Sequence, residues 1–192
     1  MRFPGAMPRT LHLIKHGAPR IVPGVPAHEW NLADDALDGL DTLIARLDPR
    51  PEIVVSSEEP KAKATAAALA AALGVPHRPM VGLHEQLRYT APFHTDPAGF
   101  EADMRSFFDH PQAIVSGEES ADDARTRFGN AVQAVMRANP QDTVAVVAHG
   151  TVISLLVAHA GGLDPWPLWK SLKLLDAVTV DIPGLRVREP SA

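Results

Sequence analysis

The sequence predicts a single α/β domain whose mainly parallel sheet is covered by helices on both faces. Short apolar segments alternate along the chain with segments of helical periodicity. The length of 192 residues fits one domain, and the 45% hydrophobic and 21% charged composition is typical of globular proteins. Two apolar segments end in the same dipeptide, His-Gly, at 16–17 and 149–150. Because ligands bind beyond the carboxyl ends of parallel strands, we expect two imidazoles to face each other across one crevice.

The first half of the chain begins with a short apolar strand at 11–14, which ends at Lys15, His16 and Gly17. A proline-rich loop over 18–31 follows the strand. Regularly spaced leucines and isoleucine then predict a helix over 32–47. The remaining predicted elements of this half are a strand at 52–56, an alanine-rich helix at 61–73 and a weak strand near 77–81.

The second half begins with residues 82–117, which interrupt the alternation of strands and helices. We interpret this segment as a cap-like insertion over the carboxyl edge of the sheet, where loops carry specificity. Ser120 and Asp123 have the spacing of a capping box, so we expect a long helix from there to about 138. The remaining predicted elements are a strand at 143–148, a helix at 150–159, a strand at 177–182 and an edge hairpin strand at 185–187.

Composition narrows the possible partners and chemistry. The chain has no cysteine, which excludes disulfides, thiol catalysis and cysteine-ligated zinc. The net charge of −5, without a Lys/Arg stripe, argues against nucleic acid or anionic membrane as a partner. Residues 1–10 lack the apolar core of a secretory signal, and no segment has transmembrane length. We therefore expect a cytoplasmic protein that binds a small molecule, with its oligomeric state open.

Four motifs occur in a compatible order: LIKHG at 13–17, SSEEPKAKATA at 56–66, LHE at 83–85 and VVAHG at 146–150. Together they resemble the motifs of the histidine phosphatase superfamily, also called the phosphoglycerate mutase-like family, along nearly the whole chain. The resemblance implies a phosphoglycerate mutase-like three-layer sandwich. It also implies a phosphatase that hydrolyses a small phosphomonoester without metal or cofactor.

The resemblance further assigns roles to individual residues. His16 would attack phosphorus and form a phosphohistidine, because a neutral imidazole can act as a nucleophile at physiological pH. Glu85 would protonate the leaving oxygen and then activate water, and His149 would help to stabilise the transferring group. The candidates for phosphate binding are Lys15, Lys61, Gly17, Gly150 and Arg20.

The sequence departs from the family pattern at Lys15 and Lys61, where arginine is usual. A lysine keeps the positive charge but lacks the planar fork that binds phosphate through two hydrogen bonds. Arg20 is a candidate to compensate. Glu58 and Glu59 also follow a predicted strand, so the choice of Glu85 as the acid depends on the resemblance.

Three alternatives stay open. One is phosphoryl transfer of the phosphoglycerate mutase type, and another is a catalytically weak protein that binds a phosphorylated ligand. The third is a hydrolytic metal site that uses the two junction histidines, although no ligand-spaced motif supports it.

Overall fold

The computed structural model describes residues 9–188 and contains a six-stranded sheet with helices on both of its faces. The strands are β1 (Arg9–Lys15), β2 (Ile53–Ser56), β3 (His77–Pro79), β4 (Thr143–Ala148), β5 (Ala177–Ile182) and β6 (Arg186–Val187). The helices are α1 (Leu40–Arg46), α2 (Pro60–Leu73), α3 (Pro97–Asp109), α4 (Ala121–Ala138), α5 (Gly150–Gly161) and α6 (Pro165–Ser171), with a short 3₁₀ helix at Ala27–Glu29. Most of the N-terminal segment that led us to expect no secretory signal lies outside the described residues.

The strand order is β3-β2-β4-β1-β5-β6, and the predicted mainly parallel sheet is confirmed. Strand β4 pairs in parallel with β1 and with β2, and β2 pairs in parallel with β3. Strands β5 and β6 complete the sheet as an antiparallel edge. In the centre, Leu13 pairs with Val146 and Lys15 with Ala148, so β1 and β4 end side by side.

The core lies on both faces of the sheet, which explains why β4 is apolar from Val144 to Ala148 and why apolar residues predominate between Leu11 and Ile14 of β1. All six residues of β4 are buried. Alternate strand residues such as Leu13 and Val146 pack with α3, α4 and α5 on one face. Their neighbours, such as Ile14 and Val147, pack with α1 and α2 on the other. The single α/β domain with three layers follows from this division.

Helix α1 begins at Leu40, later than the predicted helix over 32–47. Residues 32 and 33 are instead held in extended backbone, because Leu32 forms a β-bridge with Pro19 and the Ala33 N–H donates to Ala18 O at 2.9 Å. Turns then connect this bridge to the helix. The leucine spacing correctly indicated a helix, but contacts with the preceding loop delay its start.

Helix α4 begins at Ala121 after Ser120, whose Oγ accepts from the Asp123 N–H at 3.1 Å. The predicted cap is therefore present. The insertion at 82–117 contains α3, whose Met104 and Phe107 are buried in the core.

Candidate active site

The site lies at the edge where β1 and β4 end. His16 follows β1 and His149 follows β4, and only 7% of His16 and none of His149 is exposed. Their ring centroids are 5.1 Å apart, with the rings meeting edge to face. The two His-Gly junctions thus bring their imidazoles into one crevice.

The local contacts of His16 fix which ring nitrogen can react. Nδ1 lies 2.7 Å from Gly17 O, and a carbonyl oxygen only accepts, so Nδ1 carries the proton. Nε2 therefore keeps its lone pair. Burial, with smaller effects from Lys61 and Lys15, lowers the pKa of His16 to about 3, so the imidazole is neutral at physiological pH.

Gly17 allows the chain to turn closely past the site. A Cβ at this position would lie 2.6 Å from Ala36 O, a backbone contact too short for any side chain. The Gly17 N–H donates to Thr65 Oγ1 at 3.0 Å, and this hydroxyl donates to Lys61 O at 2.8 Å. Helix α2 thereby fixes the backbone next to His16.

His149 is held from the strand–helix junction after β2. Its Nε2 lies 3.0 Å from Ser57 Oγ and 3.4 Å from Glu59 Oε1. Its Nδ1 is buried and has no hydrogen-bond partner among residues 9–188. Burial, together with the neighbouring His16 and Lys61, lowers the pKa of His149 well below its usual value. The second imidazole is therefore also neutral and has one ring nitrogen available.

Two lysines supply positive charge beside the imidazoles. Lys15 Nζ donates to Leu172 O at 3.0 Å, and burial lowers the pKa of this amine although Glu85 and Asp176 raise it. A Cβ on Gly150 would lie 3.0 Å from Lys15 Cε, so the glycine leaves space for the lysine. Lys61 is 5% exposed and donates to Ala27 O at 2.7 Å.

Glu85 lies at the N-terminus of α5, the helix that directly follows His149 in the chain. Its Oε2 accepts from the Thr151 N–H at 3.2 Å, and its Oε1 accepts from the Val152 N–H at 3.3 Å and from the Gln86 N–H at 3.0 Å. The structure therefore brings together His16, His149, Lys15, Lys61 and Glu85. The Glu85 carboxylate occupies two N–H groups at the N-terminus of the helix that begins with the phosphate-binding candidate Gly150, where a phosphate oxygen could otherwise bind.

Comparison with family models decides the family. The model described as histidine phosphatase superfamily (branch 1) matches residues 11–182. The chain belongs to this superfamily. The match spans all the residues that the structure gathers at the crevice.

Solved phosphatase structures share the fold of this superfamily member. A mycobacterial glucosyl-3-phosphoglycerate phosphatase is 21% identical over 94% of this chain and 96% of its own, with a TM-score of 0.68. A phosphoserine phosphatase from Entamoeba histolytica is 18% identical over 95% of each chain, with a TM-score of 0.71. An alpha-ribazole phosphatase from Shigella flexneri is 19% identical over 95% of this chain and 96% of its own, with a TM-score of 0.68. Comparison with curated protein sequences gave no match.

Two of the candidate residues named from the sequence of this superfamily member lie on the surface. Arg20 forms an ion pair with Asp34, and 57% of the Arg20 side chain is exposed. Glu58 is exposed, whereas the adjacent Glu59 is buried inside the site. The structure does not place Arg20 or Glu58 with the imidazoles.

Arg127 and Glu119 hold the segment that carries Glu85, and no motif pointed to them. All five N–H groups of Arg127 are used: two donate to Glu119, and three donate to the carbonyls of Gly82, His84 and Glu85 at 2.8–3.1 Å. Only 8% of the Glu119 side chain is exposed. This fork connects α4 to the candidate acid.

The part of the chain that the structure describes contains neither a metal-binding cluster nor a membrane-spanning helix. Within residues 9–188, no group of three or more His, Asp or Glu side chains has an arrangement that could hold a metal ion. No helix of the described part of the chain is both long enough and apolar enough to cross a membrane.

Proposed function

We propose that the protein is a metal-independent phosphatase that hydrolyses a small phosphomonoester through a phosphohistidine on His16. The main supporting observation is the orientation of the His16 ring. Because Nδ1 is bound to Gly17 O, the unprotonated Nε2 is the free nitrogen, and the second imidazole lies 5.1 Å away between ring centroids. A buried neutral nucleophile beside two lysines suits phosphoryl transfer, which requires positioning and positive charge.

In the first step, His16 Nε2 attacks phosphorus and the bond from phosphorus to the ester oxygen breaks. Glu85 gives its proton to the leaving oxygen, so an alcohol departs and the phosphoryl group stays on His16. Lys15 and Lys61 offset the negative charge of the three phosphoryl oxygens. In the neutral tautomer that carries its proton on Nδ1, His149 donates this N–H to the group while its Nε2 accepts from the Ser57 hydroxyl.

In the second step, Glu85 removes a proton from a water molecule as the water oxygen attacks phosphorus. The bond between phosphorus and Nε2 breaks, and inorganic phosphate leaves. His16 returns to the neutral form with its proton on Nδ1, and Glu85 is again protonated for the next cycle. No redox change and no additional reactant are needed.

The substrate class is inferred from the superfamily and from its solved structures. The solved neighbours are named for glucosyl-3-phosphoglycerate, phosphoserine and alpha-ribazole, which have different alcohol groups. This range supports a small phosphomonoester as the class of substrate. The loop over 18–31 and the insertion at 82–117, which we propose acts as a cap, would select the alcohol.

One observation favours a second candidate, a catalytically weak protein that binds a phosphorylated ligand. Both phosphate-binding cations are lysines, and Lys61 Nζ is 2.5 Å from Glu59 Oε2. A carboxylate paired with this cation reduces the positive charge offered to phosphate. Turnover below that of an arginine-containing site is the expected consequence.

The test compares wild type with His16→Ala on a panel of phosphomonoesters in the presence of a chelator. We expect wild type to hydrolyse the esters and release inorganic phosphate, and His16→Ala to release none. The circular dichroism spectra of the two proteins should be alike. His159→Ala changes an exposed histidine at the end of α5 and serves as the control, with wild-type turnover expected. Intact-mass or phosphorus NMR measurement of quenched wild type should detect phosphohistidine.

Turnover by the purified His16→Ala protein would disprove the phosphohistidine mechanism. Saturable phosphate binding by wild type without any turnover would establish the binding protein instead. Transfer of the phosphoryl group to an added alcohol in place of water would indicate a mutase-type reaction.

A further inference from the structure

Glu59 is a buried carboxylate inside the crevice, and the mechanism above gives it no part. Only 8% of its side chain is exposed. Oε2 accepts a hydrogen bond from Lys61 Nζ at 2.5 Å, and Oε1 accepts one from the Glu85 N–H at 2.8 Å. Oε1 also lies 3.4 Å from His149 Nε2. One carboxylate therefore contacts the cation, the backbone of the candidate acid and the second imidazole.

We propose that Glu59 is a positioning residue that anchors the Lys61 ammonium for phosphate. This inference rests on the proposed function, because it assigns Lys61 to the phosphoryl group.

The hydrogen bonds of Lys61 explain why an anchor is needed. An ammonium has three N–H donors. One donates to Ala27 O at 2.7 Å and one to Glu59 Oε2, which leaves the third for a phosphoryl oxygen. A lysine ends a flexible four-carbon chain, whereas an arginine fork is planar and already organised. Two fixed hydrogen bonds would restore to Lys61 much of the directionality that an arginine has by itself.

The charge of Glu59 makes the inference testable by the sign of an effect. A carboxylate near a phosphate dianion repels it, so removal of the charge alone would strengthen phosphate binding. Removal of the anchor would instead release Lys61 and weaken both binding and transition-state stabilisation. The two explanations predict opposite changes in the same measurement.

The experiment uses Glu59→Leu, which keeps a similar side-chain volume but removes both the charge and the hydrogen-bond acceptor, with vanadate as the probe. We expect vanadate to bind about tenfold more weakly, as calorimetry measures it, since about 1.4 kcal/mol for a lost charged hydrogen bond is tenfold. We expect kcat/KM for p-nitrophenyl phosphate to fall by a similar or larger factor. Glu58→Leu changes the exposed neighbour in the same way and should leave both values unchanged.

Tighter vanadate binding by Glu59→Leu with unchanged kcat/KM would overturn the inference, because the carboxylate would then only repel phosphate. A second comparison excludes a purely structural effect. In a Lys61→Ala background, Glu59→Leu should change kcat/KM by less than about twofold, because there is no ammonium left to anchor. A loss equal to that in wild type would show that Glu59 acts independently of Lys61, and would also overturn the inference.

The two proposals fail separately. Vanadate affinity tests Glu59 even if wild type turns over no substrate. Turnover that survives His16→Ala would disprove the phosphohistidine while leaving the Glu59 comparison interpretable.

Discussion

The connection between α4 and the candidate acid can be tested with Arg127→Lys. Arg127 uses its five N–H groups on Glu119 and on three backbone carbonyls of the Glu85 segment. Lysine keeps the charge but has only three donors. At least two of these acceptors must therefore lose their partner, in a place where the Arg127 side chain is 20% exposed and that of Glu119 is 8% exposed.

The magnitude follows from this count. An acceptor left unsatisfied in a buried place costs about 1–3 kcal/mol, so two of them should lower the free energy of unfolding by about 2–6 kcal/mol. A loss of about 3 kcal/mol corresponds to a fall in Tm of roughly 6–12 °C for a domain of this length. The protein should remain folded, because domain stabilities are about 5–15 kcal/mol. Displacement of the Glu85 backbone should also lower kcat/KM, by up to about 10²-fold for a shift near 1 Å.

The assay is urea unfolding of Arg127→Lys, with Arg137→Lys as the control. Arg137 is an exposed arginine on the same helix, so its replacement should alter the free energy of unfolding by less than about 0.5 kcal/mol. A variant as stable and as active as wild type would refute the reasoning. It would mean that the Glu85 segment keeps its place without the fork.

Two further predictions concern the acid and the nucleophile. Glu85→Gln should lower kcat/KM for an alkyl phosphate by about 10²–10⁴-fold and for p-nitrophenyl phosphate much less, because nitrophenolate needs no proton to leave; an equal loss on both would remove Glu85 as the acid. The folded-state pKa of His16, about 3, lies below its unfolded value, so the unfolded chain binds the additional proton and stability declines as pH falls below about 6.5. His16 should lower the free energy of unfolding by about 1.4 kcal/mol for each pH unit below that value. The denaturant midpoint should therefore change less between pH 7.5 and pH 5 in His16→Gln than in wild type. The control His159→Gln should behave like wild type.

The central strands and the crevice could be predicted from the sequence because they depend on local signals. A strand covered on both faces is mainly apolar, so β4 appears as an apolar run and β1 as a shorter one that only the buried His12 interrupts between Leu11 and Ile14. A His-Gly pair directly after each strand places both imidazoles at the carboxyl edge of the sheet, independently of the loop conformations. The placement of His16 beside His149 follows from pairing of these two strands alone.

Other features depend on contacts between distant segments and were not predictable in the same way. Helix α6 was not among the predicted elements, although Asp164 caps it by accepting from the Trp166 N–H and Pro165 occupies its first position. That Asp-Pro pair is a recognisable helix start, so the sequence does contain a local signal for α6. The anchoring by Arg127 and the burial of Glu59 have no local signal, because each depends on which carbonyl or cation the fold brings within reach.

The pairing of β1 with β4 also has a consequence for how the protein folds. Leu13 lies opposite Val146, so the chain must close a loop of most of its length before these neighbours meet. The entropy lost in such a closure rises with loop length, and contacts between residues far apart in sequence slow folding. The two imidazoles directly follow these two strands. The phosphate affinity that we propose should consequently appear only after the centre of the sheet has assembled, and partly folded chains should lack it.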